Sequence, residues 1–495
     1  MKSTHLRTLS LALPQFDLSL ASASADSPAQ ATKTVRLLRT GAFAAIVAVS
    51  SASHAFSFGP DDMFNLKGFG EITVGLANNQ CGASCQWFPT GTDPTGGPIV
   101  YKERDKAGGT TGVLTGQDYQ IEGTTRSLFQ PFLSGMVYLG KGFRLSGVLS
   151  QRWTNGSVDV SNDPGSFWTG YWYEKNVALE NEDYGRLTIG HMITRARSVA
   201  DYPYGTDVGL SWPWSGTGAG YGLLTSAVRY KYRKIEIAKG DLTLEGTYDI
   251  GDTRFSRYKP RFWELYAQYE RGDLTVDAIV QDGRNGRPST WVQGYFTGLT
   301  GTPSDEDPLY QSGFSGSAQG LALIMAKYQY NNLVQLSGGL RRNWWTGANA
   351  VNVISDPSKG VVWNNMFNVD WGSPFGAVDN PSYPGYPASS YDLMVGMRYR
   401  LNNVWVASAG LVRLGTASTD NPSERGQSNS ALIGSLGLDY EFSKTVTVRF
   451  LTGSVRYAHL GLAPLSLGSN TSINSSDSRI NQDSNWVTMG VTYGF

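Results

Sequence analysis

Trp486-Val487-Thr488-Met489-Gly490-Val491-Thr492-Tyr493-Gly494-Phe495 is the stretch that decides the fold. One parity carries Val487, Met489, Val491, Tyr493 and Phe495; the other carries Thr488, Gly490, Thr492 and Gly494. A period of two is the signature of a β-strand with one apolar face. The apolar face ends in two aromatic rings, as strands do where they meet a membrane interface. The same alternation recurs upstream. Leu242, Leu244, Gly246, Tyr248 and Ile250 oppose Thr243, Glu245, Thr247 and Asp249. Leu274, Val276, Ala278 and Val280 oppose Thr275, Asp277 and Gln281, and Leu393, Val395, Met397 and Tyr399 oppose Asp392, Arg398 and Arg400.

Composition agrees with many short strands. The 495 residues include 59 Gly, 26 Tyr, 20 Phe and 14 Trp with 17% charged residues, and mean hydropathy is −0.27. No apolar run after residue 55 approaches the length of a membrane helix. A soluble sandwich or propeller shares this composition. The charged residues that oppose apolar, aromatic-ended faces fit a transmembrane barrel better, with its apolar band turned to lipid and its lumen polar.

The N-terminal region points to export. Lys33, Arg36 and Arg39 precede an apolar stretch at 41–49 and then Ser53-His54-Ala55, which reads as a secretory signal cut after about Ala55. The first 32 residues are an unusual prefix for such a signal and suggest a misassigned translation start. We therefore expect residues 1–55 to be prefix and cleaved signal, and 56–495 to be one barrel. The remaining chain holds 36 Lys and Arg against 39 Asp and Glu. That balance gives no case for a nucleic-acid partner. Cys81 and Cys85 sit in a Pro/Gly-rich stretch and read as one short disulfide in an oxidising compartment. They lack redox or metal spacing, so neither metal nor cofactor is expected.

Counting connections sets the size of the barrel. Short turns fall at 140–142, 182–183, 236–240, 272, 331–332, 402–403 and 443–444. Long connections fall at about 78–123, 154–170, 193–222, 252–260, 283–318, 347–388, 416–429 and 458–484. Eight long and seven short connections, alternating, join 16 antiparallel strands with both ends on the short-turn side. The strand-like stretch 361–371 is placed in the sixth long loop; if it spans with a partner the count becomes 18.

Tyr184-Gly185-Arg186-Leu187-Thr188-Ile189-Gly190-His191 resembles the fifth strand of the general porins of Gram-negative bacteria. Thr225-Ser226-Ala227-Val228-Arg229-Tyr230 is similar to the strand that follows their third loop. His191 and Met192 replace the usual Arg-Gln, and the third loop lacks the Pro-Glu-Phe-Gly-Gly signature of enteric porins. The resemblance implies a 16-stranded, usually trimeric diffusion channel in the outer membrane, set among lipid and lipopolysaccharide. Its third loop, about 193–222, would fold inward to narrow a pore for small hydrophilic solutes and ions. Phe495 would be the terminal signal read by the barrel-assembly machinery.

A 16-stranded barrel leaves an aqueous channel unless something fills it, and fixed charges at a narrow point act as an electrostatic filter. Arg195, Arg197, Asp201, Asp207, Trp212 and Trp214 are the constriction candidates on the loop. Strand parity nominates Lys67, Arg144, Arg152, Arg229, Lys231 and Arg233 for a basic inner wall, with Glu245 and Asp249 as possible neutralising partners. The aromatics Trp212 and Trp214 also raise the alternative of a channel selective for an organic solute, such as a sugar or an aromatic acid. The other aromatic clusters, Trp87-Phe88, Phe167-Trp168, Tyr171-Trp172-Tyr173 and Trp344-Trp345, read as outer girdle and loop packing.

A barrel hydrolase is the remote rival, and it needs a histidine base. His191 shares parity with Leu187 and Ile189, which points it toward lipid or the interface, while His459 opens a loop without triad spacing. The run 216–222 is Gly-rich but leads into a strand rather than a helix, so it reads as flexible loop. No enzyme is expected.

Overall fold

A computed structural model describes residues 56–60, 63–80, 86–89, 112–115, 120–155, 169–199, 218–250, 261–286, 317–346, 388–416, 418–419, 430–458 and 483–495. Sixteen strands form one closed antiparallel ring. They are β1 (Phe64–Gln80), β2 (Gln120–Gly140), β3 (Phe143–Asn155), β4 (Thr169–Asn181), β5 (Gly185–Ile193), β6 (Leu223–Lys231), β7 (Gly240–Asp249) and β8 (Arg261–Arg271). The second half comprises β9 (Leu274–Gly286), β10 (Ser317–Gln329), β11 (Val334–Thr346), β12 (Ala388–Arg400), β13 (Trp405–Leu414), β14 (Ala431–Glu441), β15 (Val446–Tyr457) and β16 (Asp483–Gly494). The ring closes where β16 meets β1, from Gly494 opposite Phe69 to Trp486 opposite Ala77. The number is thus 16, and 361–371 lies outside the described residues.

Closure leaves no long unpaired edge, which is what a sheet in lipid requires. β1 extends below the end of β16, and there Phe56–Phe58 folds back to pair with Phe64, Asn65 and Leu66. Gln86–Pro89 and Gly112–Thr115 form a separate small hairpin sheet in the first long loop.

The turns are short on one side and long on the other. The pair Ala238–Lys239 shows how tight the short ones are: with φ of 50° and 64°, it joins β7 to the small strand Ile235–Ile237. Left-handed φ at two successive positions is the hairpin geometry that matches strand twist.

Along β12, Tyr391 and Leu393 are 58% and 50% exposed while Ser390, Asp392 and Met394 are buried. The exposed parity is the lipid face. It carries aromatic rings at both ends: Trp172, Trp263 and Tyr391 toward the long loops, and Tyr138, Tyr184, Tyr230, Tyr328, Tyr399 and Phe442 toward the short turns. These are the two interfacial girdles.

Two registers depart from simple alternation within the strands. Tyr173 of β4 is passed over where β3 moves from Ser150–Glu174 to Gln151–Trp172, and the β5–β6 register slips between Gly190 and Met192, where Gly190 has φ of +131°. A Cβ there would stand 2.4 Å from the Lys175 carbonyl oxygen, so only glycine fits. Two steps on β5 there face three on β6, so the extra residue lies on β6 and its parity changes between Ala227 and Leu224, while His191 stays in register opposite Lys175 of β4 and is buried.

Candidate functional site

The site is built where the third long loop, L3 (194–222), leaves and rejoins the barrel. Its two ends are tied together by a Thr194 N–H donating to the Gly222 carbonyl at 3.0 Å. Thr194 also caps the short helix α1 (Arg195–Val199): its hydroxyl accepts from the Arg197 N–H at 3.2 Å and donates to the Tyr221 carbonyl at 2.8 Å. A threonine at this position satisfies an otherwise orphan amide of the first turn.

The outgoing arm is bound to β7 and β8. Glu264 accepts backbone N–H bonds from Arg195 at 2.7 Å and Ala196 at 3.1 Å. The Arg195 guanidinium grips Glu245 through two bonds of 2.5 and 2.8 Å. Such a fork-to-carboxylate pair fixes direction as well as charge. Arg229 of β6 completes the cluster: it donates to Thr247 Oγ1 and to the Ile193 carbonyl, and lies 3.6 Å from Glu264 and 3.9 Å from Glu245.

The return arm runs across β9, β10 and β11. Tyr221 N–H donates to Gln281 Oε1 at 2.6 Å, Ala219 N–H to Asn343 Oδ1 at 3.0 Å, and Gln319 Nε2 to the Ala219 carbonyl at 3.2 Å. A Cβ on Gly220 would fall 2.6 Å from both Gln281 Oε1 and Leu321 Cδ2. The glycines of this run are there for close approach, and the described part, 218–222, is buried against the wall. The expectation of flexible loop is corrected for those residues. Beyond it, Arg341 and Asp392 form a fully buried pair at 2.9 Å, and Asn343 donates to Asp392 at 2.7 Å.

Inner-wall residues on β8 to β16 are unexpectedly apolar. Ile279, Leu321, Leu323, Met325, Met394, Val412, Leu414, Ile433, Val455, Tyr457 and Trp486 form one buried cluster with Tyr266, and Ala196 and Val199 of α1 pack against it. The inward root of L3 is therefore held by apolar contact as well as by hydrogen bonds.

The structure distributes the sequence-nominated residues as follows. Arg195 and Arg197 lie on α1. Arg197 is wholly buried, with its guanidinium 5.1 Å from the Tyr173 ring centroid. Arg152 of β3 stacks on the same ring at 4.3 Å and donates to Gln130 Oε1 at 2.5 Å. Two cations from wall and loop thus meet on one aromatic face system, each stabilised by the ring quadrupole. Arg144 is paired with Glu180 at 3.5 Å and with Glu182 at 3.6 Å, near the short-turn end. Lys67 and Lys231 are exposed on inward-facing parity, without an ion pair among the described residues. Arg233 lies past the end of β6, in the turn, with its guanidinium 5.9 Å from the Tyr232 ring. Asp249 accepts from the Ser226 N–H. Asp201, Asp207, Trp212, Trp214, Cys81, Cys85 and His459 lie outside the described residues, as does 1–55. Phe495 exchanges two 2.9 Å backbone bonds with Gly68.

Sequence reading passed over Glu264, Gln319 and Asn343, gave Gln281 only as a polar-face residue, and put Tyr173 in the outer girdle and loop packing, whereas Tyr173 is buried with Arg152 and Arg197 on its ring. Each has a polar atom on inward parity, but polar residues are expected all along that face, so nothing marked these as anchors.

A closed 16-stranded ring, apolar outside, with long loops on one side and a third loop bonded to its inner wall, is an outer-membrane channel. The chain belongs to the Gram-negative porin family, whose model matches residues 42–450. It is an outer-membrane diffusion channel of a Gram-negative bacterium. Among solved structures it resembles an anion-selective porin from Comamonas acidovorans, with 13% identity, 87% of this chain and 99% of that chain covered, and a TM-score of 0.50. It also resembles OmpT, an outer membrane protein of Vibrio cholerae, with 13% identity, 89% and 100% covered, and a TM-score of 0.49. No curated protein matches it.

Proposed function

We propose that L3 sets the filter of this channel, with Arg195, Arg197, Asp201, Asp207, Trp212 and Trp214 on the loop side and Lys67, Arg144, Arg152, Arg229 and Lys231 on the wall. Small hydrophilic solutes and ions pass, and no reaction is catalysed on them. The observation that carries this reading is the double anchoring of L3, through Glu264 on the outgoing arm and through Gln281 and Asn343 on the return arm. A loop pinned at both roots to one wall narrows the lumen at a fixed place, and charges there meet every passing ion. General diffusion is preferred to selective organic uptake because the apolar inner wall is buried and offers a passing solute no open face.

The finer features follow the same reading. The chain works as a homotrimer among outer-membrane lipid and lipopolysaccharide, is exported by a signal within 1–55, and is assembled by machinery that reads Phe495. The test is ion selectivity in planar bilayers. Asp201→Asn and Asp207→Asn each lower cation preference if the residue lines the filter, and an unchanged reversal potential removes it from the filter. Hydrolysis of ester or peptide substrates that is abolished by His459→Ala would overturn the non-catalytic reading.

A further inference from the structure

One buried carboxylate ties separate elements together at the long-loop end of the inner wall. Asp392 of β12 faces inward and is 1% exposed. Its Oδ2 accepts from Arg341 Nε at 3.0 Å, from Arg341 Nη2 at 2.9 Å and from Asn343 Nδ2 at 2.7 Å. Its Oδ1 accepts the backbone N–H of Gly415 at 3.0 Å. A carboxylate offers about four acceptor sites, and these donors match that capacity. The two oxygens lead to different loops.

Oδ2 leads to L3. Asn343 passes the contact on: its Oδ1 accepts the Ala219 N–H at 3.0 Å, while its Nδ2 also donates to Ser390 Oγ at 3.2 Å. Gly218, at φ of +101°, abuts the same pair, and a Cβ on it would stand 3.0 Å from Arg341 Cζ and from Asn343 Oδ1. Oδ1 leads to the seventh long loop, L7 (415–430). β13 pairs with β12 as far as Arg413 opposite Leu393, and Ser418–Thr419 resumes the pairing opposite Ser389 and Ala388. From Arg413 to Ser418 is five steps and from Leu393 to Ser389 is four, so one extra residue lies at the root of L7. A bulge of this kind re-aims the residues within it. Gly415 lies in it, so close to β12 that a Cβ would overlap the Tyr391 carbonyl oxygen, and its amide meets Asp392.

A buried donor or acceptor that loses its partner bears the full cost of its desolvation, so networks of this kind move as a unit or not at all. A displacement of Gly415 is therefore not absorbed at its own amide. Asp392 follows it, and Arg341 and Asn343 follow Asp392. We propose that Asp392 is a positioning residue for the channel, joining the root of L7 to the return arm of L3 so that the seventh loop helps to set where L3 stands. A perturbation at the outer end of β13 then reaches the pore without touching L3. The coupling is carried by contiguous hydrogen-bonded groups, and its existence is an energetic claim open to double-mutant analysis. It rests on the reading that L3 narrows the lumen, and a direct change in L3 tests that reading separately.

The test is unitary conductance and reversal potential of the purified full chain in planar bilayers, beside its melting temperature in micelles. Gly415→Ala forces the root of L7 off Tyr391 and leaves every L3 residue unchanged. It should shift both the conductance and the reversal potential. Gly240→Ala is the matched control, because a Cβ there would stand 2.6 Å from the Glu270 carbonyl oxygen at the short-turn end. It should lower the melting temperature and leave both channel readouts at wild type. Asp392→Asn should shift the conductance in the same direction as Gly415→Ala. Combined with it, Gly415→Ala should add little, because both act through one carboxylate. If Asp392→Asn fails to assemble, Asn343→Ala takes its place, since it cuts the link to Ala219 and should also abolish the effect of Gly415→Ala on conductance. Gly220→Val perturbs L3 directly. If it changes the conductance and Gly415→Ala does not, the coupling is wrong and the L3 reading stands; if neither changes it, both are wrong. Full additivity of Gly415→Ala with Asp392→Asn or Asn343→Ala would also overturn the coupling, as would an equal conductance shift in Gly240→Ala.

Discussion

At the residue scale, the L3 anchors make the sharpest demands. Glu264 accepts from the backbone amides of Arg195 and Ala196 and from the side-chain amide Nε2 of Gln281 at 2.9 Å, and lies 3.6 Å from Arg229. Replacing it by glutamine keeps the shape but leaves the buried Arg229 with one less counter-charge and turns an NH₂ toward amide donors. Removing one partner of a buried pair costs on the order of 3 kcal/mol. Glu264→Gln should therefore lower the urea midpoint of unfolding in micelles and make open-channel current noisier. Gly220 sets a steric limit on the return arm. Gly220→Val places atoms inside contact distance of Gln281 and Leu321 and should cost about 1–3 kcal/mol as the arm moves off the wall. The measured change should be a lower melting temperature together with an altered conductance. A conductance identical to wild type would mean that the return arm does not border the pore. In the β6–β7 turn, Lys239 holds φ of 64° at the cost expected of a side chain in left-handed backbone. Lys239→Gly should raise the unfolding free energy by up to about 1 kcal/mol, read as a higher urea midpoint.

At the scale of elements, strands were legible because lipid imposes a period of two on one face, while turn and loop lengths alternate around a closed ring. All 16 strands and both classes of connection fall where the alternation of residues such as Leu393, Val395, Met397 and Tyr399 expects them. What escaped was any feature that breaks the period. The slip beside Gly190 leaves one extra residue on β6, and a period-two reading along β6 carries the wrong face past it to Leu224. β10 escaped differently. Leu321, Leu323 and Met325 face inward while Ile324 faces lipid, so the strand is apolar on both sides and parity cannot assign a face. The L3 anchors depend on which wall residues the loop meets, a long-range matter with no local pattern. The last strand makes its own prediction. Removing Phe495 deletes two backbone bonds to Gly68 and a ring stacked on Phe129 and Tyr493, at the seam where the ring closes. Deleting it should reduce the fraction of heat-modifiable, assembled barrel in outer membranes. Full assembly of the truncated chain would remove Phe495 from both the assembly signal and the closure.

At the scale of the whole molecule, two surfaces divide the work. The outside is an apolar band between aromatic girdles, interrupted near the long loops by exposed arginines on the same parity, among them Arg261, Arg284, Arg342, Arg413 and Arg456. The inside is asymmetric: polar and cationic groups cluster on β1 to β7 with α1, and an apolar wall covers much of β8 to β16. L3 starts from the first of these surfaces and rejoins the ring after crossing part of the second. In the proposed reading, its arms supply the inward narrowing that distinguishes a filtering channel from an open tube. The most direct test of this account is single-channel conductance of the purified chain in planar bilayers, across a range of salt concentrations and with candidate organic solutes added. The account predicts stepwise, ohmic openings whose conductance rises in proportion to bulk salt, without saturable block. No steps at all, or block by a single solute class at micromolar concentration, would contradict it.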